Sequence, residues 1–266
     1  MSDAVTKAAA QRAVFEGKPV EIYGLNLWGI PMRQYDEWAK CKNVWLARQS
    51  TFPVFCISMN FLDALLALDM RAMDETGKFA GHVAKILYGL SMALRMDGDC
   101  LQDGRMTLSI DEQRKKLNAI LIEKPDGGGK AEITPQQFTK LRETVAWMQG
   151  EEVPDESMND DLLETAIDLA QRNAPRLNYD LTDMEASVAA AYGIRIGEVF
   201  GWPILEFEAV KRAIDRGKKH MICGIGATNG CKWDGGNPYP SWCYDREKEG
   251  TAALVSPNRF SQTAAH

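Results

Sequence analysis

Apolar positions along this chain recur every three or four residues over most of its length and alternate over a few short stretches. That pattern predicts a mainly α, α+β fold with a bundle-like helical core. Residues 1–17 are alanine-rich with little apolar face and end at Gly17 and Pro19, so they read as a flexible arm. Val20, Ile22, Leu25 and Leu27 alternate around Gly24, which suits two short strands or one bulged strand. The spacing then lengthens, and Tyr35, Trp38, Cys41 and Trp45 share one helical face. Pro53 is expected to open a second helix through Phe55, Phe61, Leu62, Leu65, Leu66 and Met73, apolar around most of its circumference and therefore central. Val83, Ile86, Leu87, Leu90 and Leu94 make a third, ending near Asp97 and Gly98. Residues 105–110 and 120–122 have strand character, with a short charged helix between them opened by the Ser109 and Glu112 capping pattern. Gly127 to Gly129 form a flexible loop.

Between Ile133 and Gly217 the start and stop signals agree with the apolar spacing of four successive helices. Thr134 caps the first, with Pro135 in its first turn and Gln137 three residues after the cap; Phe138, Leu141, Val145 and Met148 are its stripe and Gly150 its stop. The second begins near Asn159, buries Leu163, Ala166, Ile167 and Ala170, and breaks at Pro175. The third uses Thr182 and Glu185 as a capping box, turns Met184, Val188 and Ala191 inward, and stops at Gly193. The fourth runs from Pro203 through Ile204, Phe207, Val210 and Ile214 to Gly217. Beyond it the pattern dissolves into a loop-rich extension with Cys, Trp, Gly and Pro, then a small polar tail. The organisation read from these signals is an arm (1–17), an α+β domain (18–150), a helical domain (151–217) and the extension (218–266), with the short strands near the N-terminus and around 105–133.

Composition narrows the class. A hydrophobic content of 45% with 26% charged residues is that of a folded chain, not a disordered one. A net charge of -6 argues against a nucleic-acid-binding surface across the whole molecule, while leaving room for a local basic patch. The start of the chain is polar, without the apolar segment of a secretory signal, and the most apolar stretch, 50–68, is interrupted by Asn60 and Asp63. A cytoplasmic protein without a membrane span is the expectation, and its six cysteines are then expected as reduced thiols.

The candidate chemistry is thin. His220, Cys223, Cys231 and Cys243 have the residue types of a tetrahedral zinc site, but only His220 and Cys223 have the close spacing of a zinc module. A metal-free extension is the expected reading, with zinc as the alternative; no other cofactor is implied. Gly127 to Lys130 lacks the flanking residues of a phosphate loop, and Gly224-Ile225-Gly226 lacks the third glycine of a dinucleotide fingerprint. Three histidines and no nucleophile elbow leave little for nucleophilic catalysis, so no enzyme is expected. Glu151 to Asp168 is purely acidic in its charges, and Lys211 to Lys219 is mostly basic; these are expected to be solvated faces, with steering of a charged partner as the alternative. Met59, Met70, Met73, Met92, Met96 and Met106 are expected to fill the core, with an adaptable groove as the alternative.

The order of elements resembles the tail assembly chaperone-like proteins of long-tailed bacteriophages and prophages. The resembling residues are the strand before a Tyr- and Trp-bearing helix, Phe61-Leu62-Asp63-Ala64-Leu65, Ile133-Thr134-Pro135, Phe138, Leu141-Arg142, Gln149-Gly150, and Asp155-Glu156 with Asn159. The resemblance implies a non-enzymatic protein of the host cytoplasm that binds the tape-measure protein while the tail tube polymerises around it, with the tube protein as a further partner and self-association allowed. Neither nucleic acid nor membrane is an implied partner. Phe138, Leu141, Arg142, Trp147 and Met148 form the expected contact face. The alternatives are a structural component of the finished tail or connector, and a zinc-stabilised interaction module.

Overall fold

Thr6 opens the first helix by accepting the Ala9 N–H at 3.3 Å, and α1 (Lys7–Phe15) follows. This computed structural model describes residues 5–96, 98–111, 116–124, 129–155 and 180–232. Strands β1 (Val20–Ile22) and β2 (Leu25–Leu27) pair antiparallel with Ile22 opposite Leu25. The two residues between them, Tyr23 and Gly24, have φ of 52° and 72°, the left-handed pair that a type I′ hairpin turn requires. Helix α2 (Tyr35–Trp45) buries Trp38, Cys41, Val44 and Trp45 along the expected face.

The helix expected at Pro53 begins later. Residues 54–56 make a single 3-10 turn, and α3 (Phe61–Thr76) starts where Asn60 offers a side-chain acceptor to the Asp63 N–H at 2.9 Å. Phe55 therefore stays outside the helix, exposed beside Arg71. Helix α4 (His82–Ala93) follows Gly81, which provides no side-chain cap, and is capped from α3 instead: the Asp69 carboxylate accepts the N–H groups of His82 and Val83, both at 2.9 Å.

Strands β3 (Met106–Asp111), β4 (Lys116–Glu123) and β5 (Lys130–Ile133) form an antiparallel sheet in sequence order. Ser109, expected as a helix cap, is a strand residue opposite Ala119, at the edge of a register shift; Glu112 lies outside the described residues. Apolar residues pack on both sides of the proposed helix, and the ladder they form outweighs a local capping pattern.

Helix α5 (Pro135–Met148) has the expected capping box of Thr134 and Gln137, and Gly150 beyond it has φ of 81°. The helix expected from Asn159 to Pro175 lies outside the described residues. In α6 (Leu181–Tyr192) the cap is Asp180, whose side chain accepts the Thr182 N–H at 3.0 Å. Thr182 thus sits inside the first turn, and Glu185, expected to close the box, is buried; Val188 is buried as its spacing requires, Ala189 is buried, and Ala191 is exposed. A single turn, α7 (Ile196–Val199), precedes α8 (Ile204–Thr228). Gly217 does not stop α8. A glycine inside an exposed helix costs about 1 kcal/mol relative to alanine, which the good helix formers Lys218, Lys219 and Met221 can offset. Residues 218–228, expected as loop, are helical.

An aromatic column joins the helices. Trp38 lies 5.9 Å from Trp45, Trp45 lies 5.8 Å from Phe138, and Phe138 stacks with Phe61 at 6.5 Å. The sheet adds Leu117, Ala119, Ile120, Ile122 and Ile133, and Asp63 ties α3 to it by accepting the Leu117 N–H at 2.7 Å. The expected arm is docked: Ala10 and Val14, one turn apart, are buried, and α1 packs on α5 and α8. So small a stripe is faint in the sequence, but small side chains let helices approach closely.

Residues 30–33 and 200–204 run antiparallel and join distant parts of the chain, with Met32 N–H donating to Trp202 C=O and Ile204 N–H to Ile30 C=O, both at 2.8 Å. Buried residues on both sides of the 150/151 division belong to one cluster. Of the methionines expected in the core, Met92, Met96 and Met106 are buried there, whereas Met73 is exposed.

Helices α2 and α4 approach closely where the Trp45 indole lies against Gly89, so that a Cβ on Gly89 would collide with Trp45 Nε1. Gly89→Ala is expected to cost about 1–3 kcal/mol, the usual range for overpacking a rigid core, read as a lower urea midpoint. An unchanged midpoint would mean that this contact is not held in solution.

Candidate functional site

The helix face expected to meet a partner turns inward. Phe138, Leu141 and Met148 are fully buried in the chain's own core, and Arg142 is buried with them. Trp147 is half-buried, with the Lys140 ammonium 4.2 Å from its ring centroid. The burial of its stripe makes α5 a core helix; its caps and periodicity alone serve internal packing and partner binding alike.

Arg142 has a specific structural task. Its Nε donates to the carbonyl of Trp45 and its Nη2 to that of Ala47, both at 2.6 Å, and its guanidinium carbon lies 3.6 Å from the Phe61 ring centroid. The carbonyls at the end of α2 carry the negative pole of that helix, so a buried cation is well placed there.

The proposed zinc ligands do not converge among the described residues. His220 and Cys223 lie three residues apart on α8, Cys231 is exposed beyond its end, and Cys243 lies outside the described residues. No group of three or more His, Cys, Asp or Glu able to hold a metal occurs among the described residues. A rigid helix supplies two donors, and the described chain brings no third donor to them. Gly224-Ile225-Gly226 is helical, not a phosphate loop.

Several of the described charges in these two segments are paired within the chain. Glu151 binds Lys42 and Glu152 binds Lys7, which fastens the start of the acidic segment to α2 and α1. In the basic segment Lys211 pairs with Glu208 at 2.7 Å and Lys219 with Asp215 at 2.9 Å, both within α8. Such exposed pairs contribute about 0–1 kcal/mol each.

Among the exposed large hydrophobics of the described residues, two groups lie close in sequence. Met221, Ile222 and Ile225 lie close together on the distal half of α8, with 63%, 68% and 56% of their surfaces exposed. Val54 and Ile57, around the 3-10 turn before α3, are 84% and 58% exposed. The first surface was missed because Gly217 was read as a helix stop; the i, i+4 recurrence of Gly217, Met221 and Ile225 could have revealed it. A cleft of about 310 Å³ between α2, the end of α5 and α8 is lined by Tyr35, Trp38, Lys42, Gln149 and Arg212, among others. Gln149 Oε1 accepts the Ile30 N–H at 3.2 Å, while its buried Nε2 has no hydrogen bond among the described residues. A second cleft lies beside Trp28.

No family model, curated protein or solved structure matches the chain. Its functional reading therefore rests on its own residues. No described helix is long and apolar enough to cross a membrane.

Two side chains make the core itself testable. Arg142→Leu is expected to cost about 2–4 kcal/mol, because it leaves buried carbonyls without donors; Arg142→Lys should recover part of the loss. Equal urea midpoints for Arg142→Leu and the parent would refute that role. Glu185 has its pKa raised above 4.5 by burial first, then by the charges of Asp36 and Asp180. It contributes stability while protonated, fully present below its unfolded value and lost as pH rises through the raised folded value. Glu185→Gln should therefore melt higher than the parent at pH 7, and the gap should close toward pH 4; a gap constant with pH would exclude ionisation as the cause.

Proposed function

We propose that the chain is a protein-binding assembly chaperone that covers an apolar helical segment of a larger partner, and that the partner is the tape-measure protein of a phage tail. The observation that carries the binding role is the exposed surface of Met221, Ile222 and Ile225 on a helix whose first half is anchored in the core by Ile204, Leu205 and Phe207. An anchored helix presents such a surface with little ordering entropy left to lose, which suits helix-against-helix recognition. Val54 and Ile57 offer a second exposed contact. The tail assignment is supported by the resemblance of the residues around Phe61 and from Ile133 to Asp155. The working surface proposed here differs from the α5 face that the resemblance pointed to, because that face is used internally.

Co-purification with the tape-measure protein, co-expressed from the same genome, tests the reading. The parent should retain the partner, while Met221→Glu and Ile225→Glu should weaken retention at least about tenfold, equivalent to roughly 1.4 kcal/mol. Both positions are exposed, so melting should change little. Failure of the parent to bind would overturn the proposal. Stoichiometric recovery of the chain in finished particles would instead favour the structural-component reading.

A further inference from the structure

The cleft beside Trp28, about 230 Å³ in volume, brings together the hairpin turn at Gly24, the end of α4 and the end of β4. Its walls include Trp28, Arg95 and Lys124. The Arg95 guanidinium carbon lies 4.1 Å from the Trp28 ring centroid, a stacked arrangement that uses the face of the guanidinium and leaves its edge donors for another group. Lys124 reaches over the turn, where a Cβ added to Gly24 would lie 3.2 Å from its ammonium nitrogen. Among the described residues neither Arg95 nor Lys124 pairs with a carboxylate.

The end of α4 fixes the position of Arg95. Arg95 has φ of 53° because it is the left-handed residue of the turn that ends α4, where Arg95 N–H donates to Met92 C=O at 3.1 Å and Met96 N–H to Ser91 C=O at 3.0 Å. Partial burial, followed by the nearby charge of Arg33, lowers the Arg95 pKa from the ordinary guanidinium value. A stacked arginine and a lysine thus line one cleft. The backbone positions are set by main-chain bonds: Trp28 N–H donates to the Ala93 carbonyl at 2.7 Å, and Lys124 N–H to that of Gly129 at 2.9 Å.

We propose that this cleft binds a phosphate group through the edge of Arg95 and the ammonium of Lys124, with Trp28 holding the guanidinium in place. The charge balance favours phosphate over a carboxylate. A phosphate monoester carries about -1.5 to -2 at pH 7 and has three strong acceptor oxygens, whereas a carboxylate brings a single charge to a cleft lined by two cations, Arg95 and Lys124. The ligand chemistry is the phosphate dianion of a free small molecule or monoester; the diesters of a nucleic-acid backbone carry one charge each and do not meet it.

Calorimetric titration of the full-length chain at low salt tests this with inorganic phosphate, pyrophosphate, a short single-stranded oligonucleotide and glutamate as probes. Saturable binding at one site by phosphate or pyrophosphate is expected, with glutamate at least about tenfold weaker. A preference for phosphate or pyrophosphate supports the dianion site, and a preference for the oligonucleotide, whose diesters are monoanionic, would overturn it. Lys124→Ala should weaken binding by about tenfold or more. Arg95→Gly should do the same while keeping or raising the melting temperature, because glycine adopts the left-handed conformation without strain. That pairing distinguishes lost recognition from lost folding. Trp28→Phe keeps a ring beneath the guanidinium and should retain most of the affinity. Absence of saturable binding by any phosphate probe, equal binding of glutamate, or undiminished binding by the Arg95→Gly/Lys124→Ala double variant would overturn the proposal.

Discussion

Arg142 brings a permanent charge into the interior, and the mutual placement of α2, α3 and α5 is tied to where that charge finds acceptors. The side chain starts on α5, reaches the carbonyls of Trp45 and Ala47 at the end of α2, and lies over Phe61 at the start of α3. A buried guanidinium left without acceptors would be strongly destabilising, so a shift of any of these helices opposes both hydrogen bonding and aromatic packing. The column from Trp38 through Trp45 and Phe138 to Phe61 then fills the space around it. Polar specificity and apolar burial act at the same place: one sets the register, the other provides most of the stabilisation.

Around this centre, buried carboxylates perform the joining that local caps leave undone. Asp69 closes the start of α4 from the side of α3, and Asp63 links α3 to the first residues of β4. The antiparallel contact between residues 30–33 and 200–204 attaches the last helix to the beginning of the chain. That contact leaves α8 anchored at one end with its distal apolar residues exposed, the arrangement on which the proposed binding role rests. The Trp28 cleft lies elsewhere, at the hairpin turn and the ends of α4 and β4, so its proposed ligand and the proposed protein partner make separate demands on the chain.

Much of the helical architecture was legible in the sequence where cap and stripe belonged to the same segment. Thr134, Pro135 and Gln137 announced α5, Gly193 marked the end of α6, and the alternation around Gly24 announced the hairpin. Reading failed where a local signal had a stronger competitor. Pro53 lacked the side-chain acceptor that Asn60 provides, Ser109 was drawn into a sheet ladder, and Gly217 was too small a penalty to end a long helix. The candidate contact face on α5 was misplaced for a different reason: apolar periodicity says which side of a helix avoids water, not whether the cover comes from the same chain.

By itself, then, the sequence determined the helices and strands whose hydrogen bonds and caps are satisfied within a few residues, and the apolar stripes that would have to be covered. Only the tertiary structure decided that α5 is covered internally, that the distal part of α8 is not, that Ala10 and Val14 dock the first helix, and that Trp28, Arg95 and Lys124 share one cleft. Those outcomes depend on residues tens of positions apart competing for the same space and the same hydrogen-bond partners. Local spacing carries no record of that competition, because its result is set by long-range packing and by the need to satisfy every buried charge.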